Sequence, residues 1–224
     1  NDKSCVYRTI VNSENLNTYD YLYKYGYKIT EKHWKLVDYF NKISNDKIKD
    51  MAICTANGFF RGYKSANLNI CEKTYITLFY PIGFEKVALE FVKYVKEAYG
   101  LTTLLRVIEE PFNKQIEYAH RNDWILFYDE EYTKNRTDVL NKLLEKEKYQ
   151  ELSLCAGNVY IETFGEELFN PKSICVFESS KEKETLLNNY RVGFCDAINK
   201  AKKKDETSFC IISYPCPEIS KDKF

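Results

Sequence analysis

Acidic residues follow several apolar runs of this chain, at the point where each run ends. They are Glu109–Glu110 after LLRVI, Asp129–Glu131 after WILFY, Glu162 after NVYI and Glu178 after ICVF. If these runs are parallel strands, their carboxyl ends lie on one edge of a sheet, which is where α/β folds place their active sites. The pattern therefore identifies one edge of the predicted sheet as the place for chemistry.

Two carboxyl groups that face one crevice are the minimum equipment for glycoside hydrolysis. One acts as a general acid with a raised pKa, and the other acts as nucleophile or base, at a separation of about 5–9.5 Å. The candidates for this role are Glu109, Asp129 and Glu162, with Tyr128 or Tyr160 as orienting donors. The same oxygens would also accept a hard cation.

Helix capping is the alternative interpretation of the same acidic residues. A carboxylate that follows a strand often begins the next helix, where it stabilises the positive end of the helix dipole. Glu110 before Pro111 and Glu178 before Ser179 fit that role. Both interpretations stay open at this point.

Sequence motifs for other chemistries are absent. The chain has no G-x-S-x-G elbow, no G-x-x-x-x-G-K-[ST] loop and no G-x-G-x-x-G fingerprint. The eight cysteines include no C-x-x-C pair, and His33 and His120 are the only histidines, so a Cys/His metal site would have few ligands. The sequence therefore indicates neither a cofactor nor a metal.

Strands and helices alternate along most of the chain. Helical spacing appears at TEKHWKLVDYFNKIS, with Thr30 as N-cap, and at EKVALEFVKYVKEAYG, which ends at Gly100. DMAICTANGFFRGYKS and TYITLFYPIGF have the composition of strands, with Gly58 and Gly62 as turn or bulge positions. The later strands are predicted at LTTLLRVIEE, WILFYDEE, LSLCAGNVYIET, SICVFESS and SFCIISYP, with helices at FNKQIEYAHRN, RTDVLNKLLEKEKYQE and KETLLNNYRVGFCDAINKAKKK between them.

This alternation predicts an α/β fold whose sheet is mixed but largely parallel and is flanked by helices, because the strand cores are continuous apolar runs. No linker or repeat interrupts the chain, so residues 1–224 are interpreted as a single domain. Within it, residues 1–47 form a polar, tyrosine-rich segment with one helix, and residues 48–216 form the sheet core.

The cysteines favour a disulfide-crosslinked domain. Their even number and the lack of paired spacing favour an oxidising compartment, and the alternative is a cytosolic protein with free, mostly buried cysteines. Bridges are expected to tie the C-terminal third to itself and to the early strands, although no connectivity follows from the sequence. The cysteines are Cys5, Cys54, Cys71, Cys155, Cys175, Cys195, Cys210 and Cys216.

Two further features favour a secreted, extracellular protein. The chain begins at Asn1 without methionine, as a mature protein does after loss of a signal peptide. Asn135-Arg136-Thr137 is an N-glycosylation acceptor, which would place Asn135 in a surface loop.

The balanced charge and the hydropathy of the chain limit the classes of binding partner that the sequence predicts. Thirty-three basic residues balance 33 acidic residues, so the net charge indicates neither nucleic acid nor an anionic membrane as partner. No apolar run reaches the roughly 18–20 residues that a membrane span requires.

From Glu85 to Glu130, the order of helix, strand, PFNKQIEYAHRNDW and strand resembles the second half of a GNAT acetyltransferase. The resemblance covers about a fifth of the chain. The family's phosphate-binding [QR]-x-x-G-x-[GA] turn is missing, because PIGFEKVAL stands in its place with a single glycine. The resemblance would imply an acyltransferase, but the amides that cradle the coenzyme pyrophosphate are not evident.

The expected function is binding of a partner protein, a small molecule or a glycan at an extracellular surface. The aromatic content, with 19 Tyr and 14 Phe, suits a contact surface. A glycosidase-like hydrolase is the alternative, and an acyltransferase the third hypothesis, so the sequence leaves open whether the protein is an enzyme.

Overall fold

Four parallel strands form the sheet of the computed structural model, which describes residues 3–108, 125–163 and 179–214. The strands lie in the order β2-β1-β3-β4, and every neighbouring pair is parallel. Their bounds are β1 Tyr75–Pro81, β2 Thr102–Ile108, β3 Cys155–Thr163 and β4 Ser208–Tyr214. The predicted α/β class is confirmed, and the described sheet is entirely parallel.

The helices before and between these strands are mostly amphipathic. They are α1 Lys3–Ser13, α2 Asp20–Tyr23, α3 Glu31–Lys42, α4 Asn45–Ser65 and α5 Glu85–Tyr99. Thr30 precedes α3 in an extended conformation, and its N–H donates to His33 Nδ1 at 2.9 Å, so the predicted N-cap is confirmed. Gly100 ends α5 in the left-handed conformation, as the sequence predicts.

The described chain divides into two units by the density of its internal contacts. The first contains residues 3–108, 155–163 and 206–214, and the second contains residues 125–154 and 179–205. The one-domain organisation stays a prediction.

The core of the first unit lies between one face of the sheet and the pair α4 and α5. From the sheet, Ile76, Leu78 and Val159 are fully buried. From the helices, buried side chains recur every three or four residues, so each helix turns one apolar stripe inward. These helix residues are Ile48, Ala52, Ala56, Phe59 and Tyr63 in α4, and Val87, Ala88, Phe91 and Val95 in α5.

The prediction of a strand at DMAICTANGFFRGYKS is wrong, because these residues belong to α4. Ser44 caps this helix by accepting from the Lys47 N–H at 3.3 Å. The glycines that resembled turn positions serve close packing instead. A Cβ at Gly58 would lie 3.0 Å from Cys210 Sγ, and one at Gly62 would lie 2.5 Å from Ser208 Oγ.

The second unit is helical and has a small core. Its helices are α6 Glu130–Leu144, α7 Glu147–Gln150 and α8 Lys181–Ala201. Ile125, Tyr128 and Leu187 are its buried hydrophobic residues. The strand predicted at WILFYDEE is wrong for its described part, since residues 125–127 form a tight helical turn in which Tyr128 N–H donates to the Ile125 carbonyl at 3.0 Å.

The prediction of a disulfide-crosslinked domain is wrong for the cysteines that the structure describes. Cys54, Cys71, Cys155, Cys195 and Cys210 are all free thiols. They lie on separate elements whose packing brings no two of these sulfurs to bonding distance. The secreted, extracellular assignment therefore loses the support of its cysteine pattern. The Cys5 side chain, Cys175 and Cys216 lie outside the described part of the chain.

None of the helices that the structure describes is both long and apolar enough to cross a membrane.

Candidate functional site

The carboxyl end of β1 is the position where the fold would be expected to hold a site. β2 and β3 lie on opposite sides of β1, and parallel sheets bind ligands where the strand order reverses in this way. The chain leaves β1 through Gly83, whose φ of +102° is a conformation that favours glycine. A Cβ at Gly83 would also lie 2.8 Å from the Cβ of Leu36, so α3 packs directly on this turn.

A fully buried carboxyl group, Glu85, occupies this turn. Its Oε2 accepts from the Tyr21 hydroxyl at 2.9 Å, and both oxygens accept from the Gly83 N–H at 3.0–3.1 Å. Burial raises the pKa of Glu85 above its ordinary value, and the hydrogen bonds from Gly83 and Tyr21 oppose that rise. Among the described residues no cation lies within ion-pair distance of Glu85.

Further phenols extend the hydrogen-bonding network around Glu85. The hydroxyl groups of Tyr25 and Tyr80 lie 3.2 Å apart. Burial raises the pKa of Tyr21, Tyr25 and Tyr80, so all three stay protonated and able to donate. The cluster can hold a proton on Glu85, but this side chain is 0% exposed. Its role in this conformation is to fix the β1–α5 turn against the N-terminal helices.

Lys86 fixes the same end of α5 from the outside. Its ammonium donates to Asn17 Oδ1 at 2.8 Å, to Asn41 Oδ1 at 2.7 Å and to the Phe40 carbonyl at 3.2 Å. The N-terminal segment is therefore bonded to α5 through both Glu85 and Lys86.

The three predicted catalytic carboxylates differ in their surroundings. Asp129 caps α6, because its side chain accepts from the Tyr132 N–H at 2.7 Å. Glu162 lies half-buried within β3, opposite Ser213 of β4. Glu109 lies outside the described residues. Since Asp129 and Glu162 also belong to different units, the catalytic pairing stays a prediction.

The predicted orienting donors and the sequon have defined positions. Tyr160 stacks on Phe79, with ring centroids 4.6 Å apart, and Tyr128 is 1% exposed in the core of the second unit. Asn135 lies exposed on α6 and not in the predicted loop. Its glycosylation stays a prediction.

A second candidate site lies on the surface that α6 and α8 share. The exposed Arg136 of α6 lies between two half-buried tyrosine rings, with its guanidinium carbon 5.7 Å from the Tyr132 centroid and 5.1 Å from the Tyr190 centroid. Its Nη1 donates to the Tyr132 hydroxyl at 3.0 Å and its Nε donates to the Tyr190 hydroxyl at 3.3 Å. The Phe194 ring lies 6.1 Å from that of Tyr190. We call these four residues the Tyr–Arg cluster.

The Tyr–Arg cluster carries positive charge without a counter-ion. No carboxylate among the described residues lies within ion-pair distance of Arg136. The hydrogen bonds from Arg136 to Tyr132 and Tyr190 raise the pKa of Arg136, so it is always charged. Burial raises the pKa of Tyr128, and the charges of Arg136 and Arg191 both oppose that rise. The positive charges of Arg136 and Arg191 therefore both influence the pKa of Tyr128 in the small core of the second unit.

No group of three or more His, Cys, Asp or Glu side chains in the described ranges is arranged to hold a metal ion.

Sequence reasoning missed both sites for different reasons. Glu85 is only the first residue of a well-marked helix, and Tyr21, which covers it, lies 64 residues away. Tyr132 and Arg136 have the spacing of neighbours on a helix, which is a signal that was available. Tyr190 comes from another helix 54 residues later, and nothing local in the sequence joins it to Arg136.

Comparison of the chain with models of protein families, with curated proteins and with solved structures finds no match.

Proposed function

We propose that this protein acts by binding a partner protein, and that the Tyr–Arg cluster is the centre of the contact surface. The observation that carries the proposal is the position of Arg136, exposed, held between two aromatic rings and without an ionic partner in the described residues. Arginine and tyrosine, together with tryptophan, are enriched among the residues that dominate binding energy at protein interfaces.

The hydrogen bonds of Arg136 reduce the entropy that binding would otherwise cost. A free arginine side chain loses up to about 2 kcal/mol of rotamer freedom when a partner immobilises it. In this protein the guanidinium is already held by the hydroxyl groups of Tyr132 and Tyr190 before any partner arrives. Preorganisation of this kind strengthens binding without adding contacts.

Apolar side chains on the same two helices add to the proposed surface. Val139 of α6, one turn from Arg136, is 56% exposed, and Phe194 of α8, one turn from Tyr190, is 41% exposed. Exposed apolar groups around an aromatic and arginine centre are the usual anatomy of a protein interface. The second unit needs few of these residues for its own core, since α6 contributes no fully buried residue.

Peptide display tests the proposal with the full chain as bait. A random peptide library is selected in parallel on the unmodified protein, on Arg136→Ala and on Lys134→Ala. Lys134 is the matched control, because two residues turn an α-helix by about 200° and place it on a different side of α6. Circular dichroism of each bait establishes that its helices are intact.

The proposal predicts peptide families that are enriched on the unmodified protein and on Lys134→Ala but are lost on Arg136→Ala. Enrichment of the same families on Arg136→Ala would contradict it, and so would the absence of any enriched family. If Arg136→Ala loses helix content, the double variant Tyr132→Phe, Tyr190→Phe takes its place. That variant keeps both rings and removes only the two hydroxyl acceptors.

A further inference from the structure

The guanidinium of Arg136 retains unused hydrogen-bond donors. An arginine side chain has five N–H donors, of which the hydroxyl groups of Tyr132 and Tyr190 engage two. The remaining three have no acceptor among the described residues. An exposed, positively charged fork with unused donors is complementary to an anion.

We infer that the Tyr–Arg cluster binds a carboxylate, supplied by an aspartate or glutamate side chain of the partner, beside an apolar residue. This inference rests on the proposed function and names the group that the same surface recognises. A planar carboxylate accepts two parallel N–H bonds from one guanidinium, which matches the donors that Arg136 has left.

The charge of the surrounding helices favours a single negative charge over a phosphate dianion. Along α6, the acidic residues Glu130, Glu131 and Asp138 balance Lys134, Arg136 and Lys142. Along α8 there are four basic residues and three acidic residues. A dianion needs several cations close together without acidic neighbours, whereas the basic and acidic residues of α6 and α8 together leave these helices nearly neutral.

The aromatic rings of the cluster indicate the apolar residue that should accompany the carboxylate. The Tyr132 and Tyr190 rings lie within cation–π distance of the exposed guanidinium of Arg136 and help to hold it in place. Phe194 continues the apolar surface on the α8 side of Tyr190. An acidic residue that adjoins an apolar one would therefore satisfy both parts of the cluster.

Nuclear magnetic resonance of the full chain tests the inference with small probes. The protein is labelled with ¹⁵N-arginine, and the Nε–Hε signals are followed during titration with phenylacetate, which joins a carboxylate to an apolar ring. Phenylacetamide is the uncharged control probe, and phenyl phosphate is the dianionic one. Arg61, exposed on α4 in the first unit, is an internal control in the same spectrum.

The inference predicts a saturable shift of the Arg136 signal with phenylacetate, no saturable shift with phenylacetamide and no response of Arg61. Phenylacetate bound at Arg136 should also shift the signal of the neighbouring Arg191, and that shift should be lost in the Arg136→Lys protein. Equal responses to phenylacetate and phenylacetamide would overturn the inference. Binding of phenyl phosphate at least about tenfold tighter than phenylacetate would also overturn it, since the site would then prefer phosphate.

The two proposals fail in distinguishable ways. If display yields peptides that depend on Arg136 but lack acidic residues, and phenylacetate produces no saturable shift, the carboxylate inference is wrong and the binding function stands. If phenylacetate binds at Arg136 but display yields no peptide that depends on it, the carboxylate site stands and the partner-protein function is wrong.

Discussion

Removal of the buried Glu85 carboxyl should destabilise the protein strongly. The Glu85→Ala substitution leaves the Gly83 N–H and the Tyr21 hydroxyl without their acceptor inside the fold. A buried donor without a partner costs about 1–3 kcal/mol, so the two together should cost about 2–6 kcal/mol of unfolding free energy. That is a large share of the roughly 5–15 kcal/mol by which a typical domain is stable.

Glu85→Gln separates hydrogen bonding from charge. Because burial raises the pKa of Glu85 in the folded state, folding favours its protonated form. Its contribution to stability is therefore complete below the ordinary carboxyl pKa of 4.5 and is lost as pH rises through the raised pKa. The neutral glutamine has no such dependence, so the stability of Glu85→Gln relative to the unmodified protein should increase as pH rises above that ordinary value.

Urea unfolding at a series of pH values measures both effects. Glu90→Gln on the same helix is the control, since the exposed ion pair from Glu90 to Lys93 contributes at most about 1 kcal/mol. A loss below about 1 kcal/mol for Glu85→Ala would refute the assigned hydrogen bonds. A pH dependence of Glu85→Gln identical to that of the unmodified protein would refute the assigned burial of the charge.

Two further predictions concern the β1–α5 turn and the cysteines. Gly83→Ala should cost about 1–3 kcal/mol or more, because alanine is strained at this φ and its Cβ would collide with Leu36. Gly193→Ala in the open middle of α8 should instead gain up to about 1 kcal/mol, and comparable urea midpoints for the two variants would contradict the turn geometry. Alkylation of the native protein without reductant, mapped by peptide mass spectrometry, should spare the buried Cys155 until urea is added. The exposed thiols of Cys54, Cys71 and Cys195 should react at once. Recovery of disulfide-linked peptides would contradict the conclusion that these thiols are free.

The parallel sheet was predictable because its signal is local. Runs such as YITLFYP and CAGNVYIET are rich in apolar residues that are buried in the fold, and the intervening helical patterns require parallel pairing. The order of the strands was not predictable, because it depends on which faces the helices cover. The α4 error has the same origin. The neighbouring residues in the sequence do not explain why glycine stands at positions 58 and 62 of a helix. The close approach of β4 to Gly58 and Gly62 explains both glycines.

The candidate sites depend on contacts between residues that are distant in sequence. The Glu85 cluster requires Tyr21 of α2, and the Tyr–Arg cluster requires Tyr190 of α8. Cysteine number gave a wrong prediction of disulfides, since an even count says nothing about the distances between thiols. Composition led to the expectation of a contact surface rich in tyrosine, whereas the association of Tyr190 with Tyr132 and Arg136 followed only from the packing of α6 on α8.

The affinity of a display-selected peptide for Arg136→Lys tests the central claim most directly. Lysine keeps the positive charge but loses the planar fork that the two tyrosines hold in place. The proposed surface predicts that Arg136→Lys raises the Kd by at least about tenfold in a fluorescence anisotropy titration. The control Lys134→Ala should stay within about twofold of the unmodified protein. An unchanged Kd for Arg136→Lys would contradict the claim that the oriented guanidinium of Arg136 is the centre of binding.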